Sequence, residues 1–448
     1  MASNLSKATV LRAVPVRCFS SGANHIPVSG VPNYCAEISK LQNGLKVVST
    51  ENCSPLARIS ILFKAGSRFE NYETLGVTHV LRIAAGLSTQ NATQFSIMRH
   101  IQQVGASLTC STDREVISYT LEGTREAVKE ASPFFAEVAT KQVFRPWEIS
   151  DNTDRLKLEL KIRPYELRAL DLLHKAAYRD RGLGNSLFIG KTKIGKISSE
   201  TLQHYFCQHF VASKGTVAAV GFEHNDVLKF AEKLKIRESC DENCMKSTYT
   251  SGEARLEKGG NLTYIAMGKE GGRLIPSNEA LVYGILQHVY GTKPGVPYGA
   301  GGCSVLARCV TSNVPSASVQ AINANYSDSG LFGVLVCVPA ANAGTAVSLV
   351  AKALSSTDIT EADVKRGKAQ LMRSMLSSLE SGANIVENLG IQALFSDNAL
   401  DAVGISNAIA GISPNDVIQA ARKVASSKLS IASIGNLKTV PFLDELTC

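Results

Sequence analysis

The chain has 448 residues, 44% hydrophobic and 19% charged, with 47 Lys and Arg against 39 Asp and Glu for a net charge of +8. A chain of this kind buries large cores, and about 100–200 residues per domain predicts two to four domains. The bases are scattered, with no like-charge block and no basic stripe interleaved with aromatics, so nothing supports nucleic-acid binding. The 11 cysteines are odd in number and irregularly spaced, which predicts a reducing compartment. The longest uncharged run, residues 329–351, is interrupted by Pro339 and several Gly, Asn, Thr and Ser. It does not read as a membrane span, and any membrane contact is expected to be peripheral, through partner subunits.

Residues 1–34 differ from the rest. Lys7, Arg12 and Arg17 stand among serines, and the first acidic residue is Glu37. Leu5, Ala8, Leu11 and Val14 share one helical face. This is the pattern of a mitochondrial presequence, and Arg17-Cys18-Phe19-Ser20 resembles a matrix-processing site. Residues 41–65 then read as a β-hairpin: Leu45, Val47 and Val48, a turn at 52–55, and the alternating run 58–63. A helix follows at 76–87, with Val77, Val80, Leu81 and Ala84 on one face, and another at 97–104. Strands are expected at 107–110 and 116–121, and a helix at 127–139.

The second half repeats the plan, with strands at 262–267, 316–324 and 330–338 and helices at 278–291 and 344–354. Val77, Leu81 and Gly86 align with Val282, Leu286 and Gly291 at a constant offset of 205. Each half also closes alike. A Ser opens a helix at 198 and at 413, and an apolar strand ends in Gly221 and in Gly435. The reading is α+β: two homologous α/β domains of about 200 residues, at 35–230 and 258–448, joined by a polar linker at 231–257.

The first predicted helix carries the segment His79-Val80-Leu81-Arg82-Ile83. An inverted zinc-peptidase helix needs His-x-x-Glu-His, because residues i and i+4 share a face and can hold one metal while the Glu activates its water. His79 keeps the first ligand position. Arg82 stands where the base belongs and Ile83 where the second ligand belongs. Ile binds no metal, and a guanidinium stays protonated. Metal-assisted hydrolysis is not expected here.

Two repeated halves, a degenerate inverted zinc helix and a presequence together resemble the pitrilysin-type superfamily, which includes the mitochondrial processing peptidase. Within it the chain resembles the core protein 2 family of the mitochondrial cytochrome b–c1 complex. The resemblance rests on residues 64–68, 75–82 and 325–333 and on the tail at 435–446. It implies antiparallel-rich sheets packed with helices. It makes Glu159 the counterpart of the third zinc ligand, so that two of the four positions persist. We expect Arg82 to pair with Glu159. The resemblance further implies a structural subunit on the matrix side of the inner membrane. Core protein 1 and the membrane subunits would be its partners, with two copies in a dimeric complex. No cofactor or metal is expected on this chain, the haems and the iron–sulfur centre belonging to other subunits. The alternative is the non-catalytic, substrate-recognising subunit of a processing peptidase, to which a glycine loop at 299–302 could contribute.

Other candidates are weaker. His204 and Cys207 share a helical face, but His209 is displaced and no fourth ligand is in view, so an amphipathic helix with Phe206 and Phe210 inward explains them. Cys240 and Cys244 read as exposed thiols of the linker. His174 reads as ordinary packing or surface.

Overall fold

The computed structural model describes residues 36–52, 54–179, 181–238, 246–275, 277–292, 304–396 and 398–446. The presequence expected at 1–34, Cys240, Cys244 and the loop at 299–302 lie outside them. Strands β1 (Glu37–Lys40), β2 (Lys46–Thr50) and β3 (Leu56–Phe63) open the first half, followed by helices α1 (Val77–Ala84) and α2 (Gln94–Gln103). The pair β4 (Ser107–Thr112) and β5 (Ile117–Thr124) leads into α3 (Arg125–Thr140), α4 (Pro146–Asp151), α5 (Thr153–Ile162), α6 (Tyr165–Tyr178) and α7 (Ser199–His209). Strand β6 (Gly215–Val220) and α8 (His224–Lys233) close the half.

The second half runs through β7 (Glu253–Glu257), β8 (Leu262–Glu270), α9 (Ser277–Tyr290), β9 (Ser318–Asn325) and β10 (Gly330–Pro339). It continues with α10 (Ala343–Ser355), α11 (Glu361–Ser378), α12 (Gly382–Phe395), α13 (Ala402–Gly411), α14 (Pro414–Ser426) and β11 (Ser430–Gly435). The closing helices start where their serines predicted. Ser198 accepts the backbone N–H of Thr201, and Ser413 that of Asp416, whose carboxylate returns to the Ser413 N–H as a capping box.

The sheets are ordered β1-β2-β6-β3-β5-β4 and β7-β11-β8-β10-β9. This corrects the hairpin expected at 41–65. β2 and β3 do not pair; β6 lies between them, parallel to β2 and antiparallel to β3. The reason is burial. All six residues of β6 are buried, and a strand apolar on both faces belongs inside a sheet rather than at its edge. β11 makes the same insertion in the second half, between β7 and β8. Each sheet thus holds one parallel pair among antiparallel ones.

The linker boundaries also shift. Val227, Ala231 and Ile236 belong to the first core, so α8 runs past 230. β7 falls inside the expected linker and extends the second sheet alongside β11.

Side-chain alternation assigns the two faces of each sheet. Ile59, Ile61 and Phe63 of β3 face the core under α1, α2, α3 and α7, whereas Leu62 faces Val386, Leu389 and Leu394 of α12. In the second sheet Ile265 and Met267 face the core under α9 and α10, whereas Ala266 faces Ala169 and Leu173 of α6. The halves therefore exchange a helix: α6 covers the second sheet and α12 covers the first. Gly390 lets α12 approach closely, because a Cβ there would stand 2.6 Å from the Leu62 side chain.

Candidate functional site

Helix α1 begins at Gly76, whose φ of 93° favours glycine. Its first N–H groups are satisfied by Glu70, which accepts from the backbone of Gly76 (2.9 Å) and Thr78 (2.8 Å) and from the Thr78 hydroxyl (2.7 Å). Burial pushes the Glu70 carboxyl up to about 7 against these bonds.

One turn on, His79 is fully buried. The backbone N–H of Ile189 donates to His79 Nδ1 at 3.3 Å, so Nδ1 is an acceptor and Nε2 carries the hydrogen. His79 Nε2 donates to Glu159 Oε2 at 3.0 Å. Burial holds the imidazole pKa below its ordinary value, consistent with a neutral ring. Phe188 meets that ring edge-on, with centroids 5.2 Å apart, and the Arg163 guanidinium lies 4.5 Å over Phe188.

Arg82 donates through Nη2 to the same Oε2 of Glu159, and Arg155 stands 3.7 Å from Oε1. Burial alone would raise the Glu159 pKa, but the hydrogen bonds from His79 and Arg82 outweigh it and the carboxyl ends below its ordinary value. The pairing expected of Arg82 and Glu159 is present. Ile83, 3% exposed, packs into the first core. α1 and α5 thus bring His79, Arg82 and Glu159 together beside a cavity of about 430 Å³ that also reaches Arg163, Leu187 and Phe188.

These residues do not fit the zinc that the helix pattern implies. One imidazole has its Nε2 hydrogen committed to Glu159. The one carboxylate is neutralised by a guanidinium, and a hydrocarbon fills the second ligand position. Among the described residues no group of three or more His, Cys, Asp and Glu side chains is placed to hold a metal. On α7, His204 is exposed while His209 is buried, so these two do not converge. Phe206 and Phe210 are buried and stack at 4.3 Å.

Sequence reading missed a second constellation, where the halves meet. Arg68 donates to Glu115 (2.5 Å) and, from the second half, to Ser327 (3.0 Å) and both carboxylate oxygens of Asp328. Ser327 donates its N–H and hydroxyl to Glu115 at 2.9 and 2.6 Å. The Tyr326 hydroxyl donates to His174 Nε2 at 2.8 Å, and His174 Nδ1 donates to the carbonyl of Leu170 at 2.7 Å. Burial and then the Arg114 charge push the His174 pKa down to about 3. His174 is therefore a buried tie between halves. The sequence signal was indirect: residues 64–68 and 325–333 each carry the family resemblance, and the fold sets them against each other.

Comparison with known proteins agrees with this architecture. Residues 46–190 match the model of insulinase, peptidase family M16, and residues 196–371 match the peptidase M16 inactive domain. The cytochrome b–c1 complex subunit 2 of Rattus norvegicus is 36% identical over 92% of both chains. A probable mitochondrial-processing peptidase subunit alpha-1 of Arabidopsis thaliana is 28% identical over 92% of this chain and 84% of its own. A chain of complex III2 from Candida albicans, solved with Inz-5 bound, superposes with a TM-score of 0.80 at 18% identity, covering 92% of this chain and 98% of its own, and shows the fold. The chain belongs to the cytochrome b–c1 complex subunit 2 family, built on peptidase M16 domains.

Proposed function

We propose that this chain is a structural core subunit of the mitochondrial ubiquinol–cytochrome c reductase complex, contributing surfaces rather than reacting groups. The observation that carries the reading is similarity to subunit 2 along 92% of both chains. The site chemistry supports it. At the former zinc helix the base position holds a cation and the carboxylate is engaged by His79 and Arg82, so the arrangement braces α1 against α5.

In this reading core protein 1 and the membrane subunits are the partners, two copies serve a dimeric complex, and the chain is held peripherally on the matrix side. The acid-free basic N-terminus supports the mitochondrial address. Among the described residues no helix is long and apolar enough to cross a membrane, which suits attachment through partners. We further propose that the chain holds no haem, iron–sulfur centre or zinc. The processing-peptidase alternative rests on the more distant relative, at 28% identity.

Purification of the tagged native protein in gentle detergent tests the reading. Cytochrome absorbance with a stoichiometric core-protein-1-like subunit and membrane subunits is expected. A haem-free heterodimer with a partner carrying His-x-x-Glu-His, able to cleave presequences, would replace it with the alternative.

A further inference from the structure

Strand β7 leaves one edge of the second sheet open. β7 lies parallel to β11 as β2 lies parallel to β6, so the two strands hold the same place in their halves. In the first half β1 closes that place, antiparallel to β2 from Glu37 opposite Ser49 to Lys40 opposite Lys46. Among the described residues the second half has no such strand. The residues ahead of β7 are held at α6 instead, where the Thr250 N–H donates to the carbonyl of Ala177 at 2.9 Å.

The ladder shows which groups are open. The Ile431 N–H donates to the Gly252 carbonyl at 3.1 Å, and the Lys258 N–H to the Gly435 carbonyl at 2.9 Å. Residues alternate along a strand, so Gly252, Ala254, Leu256 and Lys258 turn their backbone groups toward β11. Glu253, Arg255 and Glu257 turn theirs outward. Among the described residues nothing bonds to those outward N–H and C=O groups. An open edge of this kind is a template for another strand.

Charges on an edge ordinarily deter pairing, but here their signs alternate and select the occupant. Consider a second copy of β7 laid antiparallel, with each Leu256 opposite its equivalent. Each Arg255 then stands opposite Glu257 of the other copy, and opposite charges directly across an antiparallel pair stabilise it. Glu257 is exposed and has no ion pair among the described residues. Arg255 is held through Nη1 and Nη2 by Glu253 and the tail carbonyls of Leu437, Val440 and Pro441, which leaves Nε to meet it. This register also covers Leu256, which is 39% exposed. It sets Gly259 opposite Glu253, and an added Cβ at Gly259 meets nothing within 4 Å, so the tail bound to Glu253 has room.

The other registers are worse. With Arg255 opposite itself, Arg faces Arg and Glu253 faces Glu257. Centred on Ala254, the pairing relies on Glu253, which already accepts from Arg255 at 2.9 Å and from the Leu443 N–H at 3.1 Å.

We infer that two copies of this chain associate through β7, antiparallel about Leu256, to make one continuous sheet from two second halves. Two chains alone can make this contact, so it stands apart from the reading of the complex above and is tested without partner subunits. Sedimentation velocity of the purified full-length chain should show a concentration-dependent dimer. Glu257→Pro removes an outward N–H and no inward bond, and Glu257→Lys sets Lys opposite Arg255. Each should weaken the dimer at least tenfold while leaving the circular dichroism spectrum unchanged. Leu256→Cys should form a disulfide-linked dimer on mild oxidation beyond that of the parent. Its pair is the non-hydrogen-bonded kind, with Cα atoms about 4.5 Å apart. Ala254→Cys, opposite Lys258, should not.

A chain that stays monomeric, a dimer unchanged in both Glu257 variants, or cross-linking at 254 in place of 256 overturns the inference. So does amide protection of Arg255 and Glu257 that appears only when a different subunit is added. The edge would then belong to a strand of that subunit.

Discussion

The two halves use the same helix for different ends. α1 and α9 align residue by residue at the offset of 205, and each is followed by a glycine at positive φ, Gly86 at 89° and Gly291 at 122°. At the position of His79 the second half has Gly284, and at that of Arg82 it has Gln287. Gly284 faces Leu371 of α11, where an added Cβ would meet the leucine at 3.4 Å, and Gln287 donates to the carbonyl of Ala321 at 3.0 Å. α9 is thus a packing element. α1 keeps a polar face that Glu159 ties to α5. The lesson is that one repeated helix can serve two kinds of packing: in the first half an ion pair and a neutral imidazole stand where the second half has Gln287 and Gly284.

The largest effect is expected where the halves meet. Arg68→Ala leaves Glu115 and Asp328 facing each other without a cation in a buried seam, and should cost about 3–5 kcal/mol in denaturant unfolding. A loss below about 1 kcal/mol would show that the seam is hydrated and the halves are independent. The exchanged helices come next. Leu173→Ala on α6 and Leu389→Ala on α12 should each cost about 2–5 kcal/mol. By hydrogen exchange, each should deprotect the sheet of the opposite half more than that of its own. Deprotection confined to the mutated half would break the exchange.

His174 gives the seam a pH signature. Its folded pKa of about 3 lies below the ordinary 6.5, so the unfolded state binds more protons between those values. Stability from this group is lost as pH falls below about 6.5. From pH 7 to pH 5 this group's loss should be about 2 kcal/mol, read as the difference between the parent and the His174→Gln variant, because Glu70 changes in the opposite sense over the same window. Glu70 has the opposite sign: its pKa is raised to about 7, so its contribution falls as pH rises from about 4.5 through 7. A pH profile of the His174→Gln variant that still falls steeply into acid would assign the acid limb to other groups.

Arg82→Glu with Ile83→His restores the donor set beside His79 and Glu159. It should bind one zinc per chain in a chelator competition at least tenfold more tightly than the parent. Failure to bind would mean that Ile83's place in the core has closed the second ligand position. The smallest effects test the duplication itself. Ser198→Ala and Ser413→Ala should each cost about 1 kcal/mol in thermal unfolding. A cost in one half only would show that the caps are not equivalent.

Local rules carry part of this protein. The serine caps, the β4–β5 pair, the apolar face of α1 and the loss of base and ligand at Arg82 and Ile83 follow from residue chemistry and spacing within a few positions. The repeat is legible because the same local signals recur at a fixed distance. Other features join residues far apart. β6 enters between β2 and β3 from more than 150 residues away, and a turn signal at 52–55 looks the same whether or not its strands pair. The exchange of α6 and α12 is invisible in either helix, because periodicity shows that a face is apolar without naming the sheet that covers it. Arg68, Glu115, His174 and Asp328 are single polar residues with no local pattern. Only the packing of one half on the other gives them partners, because burial makes an unpaired charge too costly to leave alone.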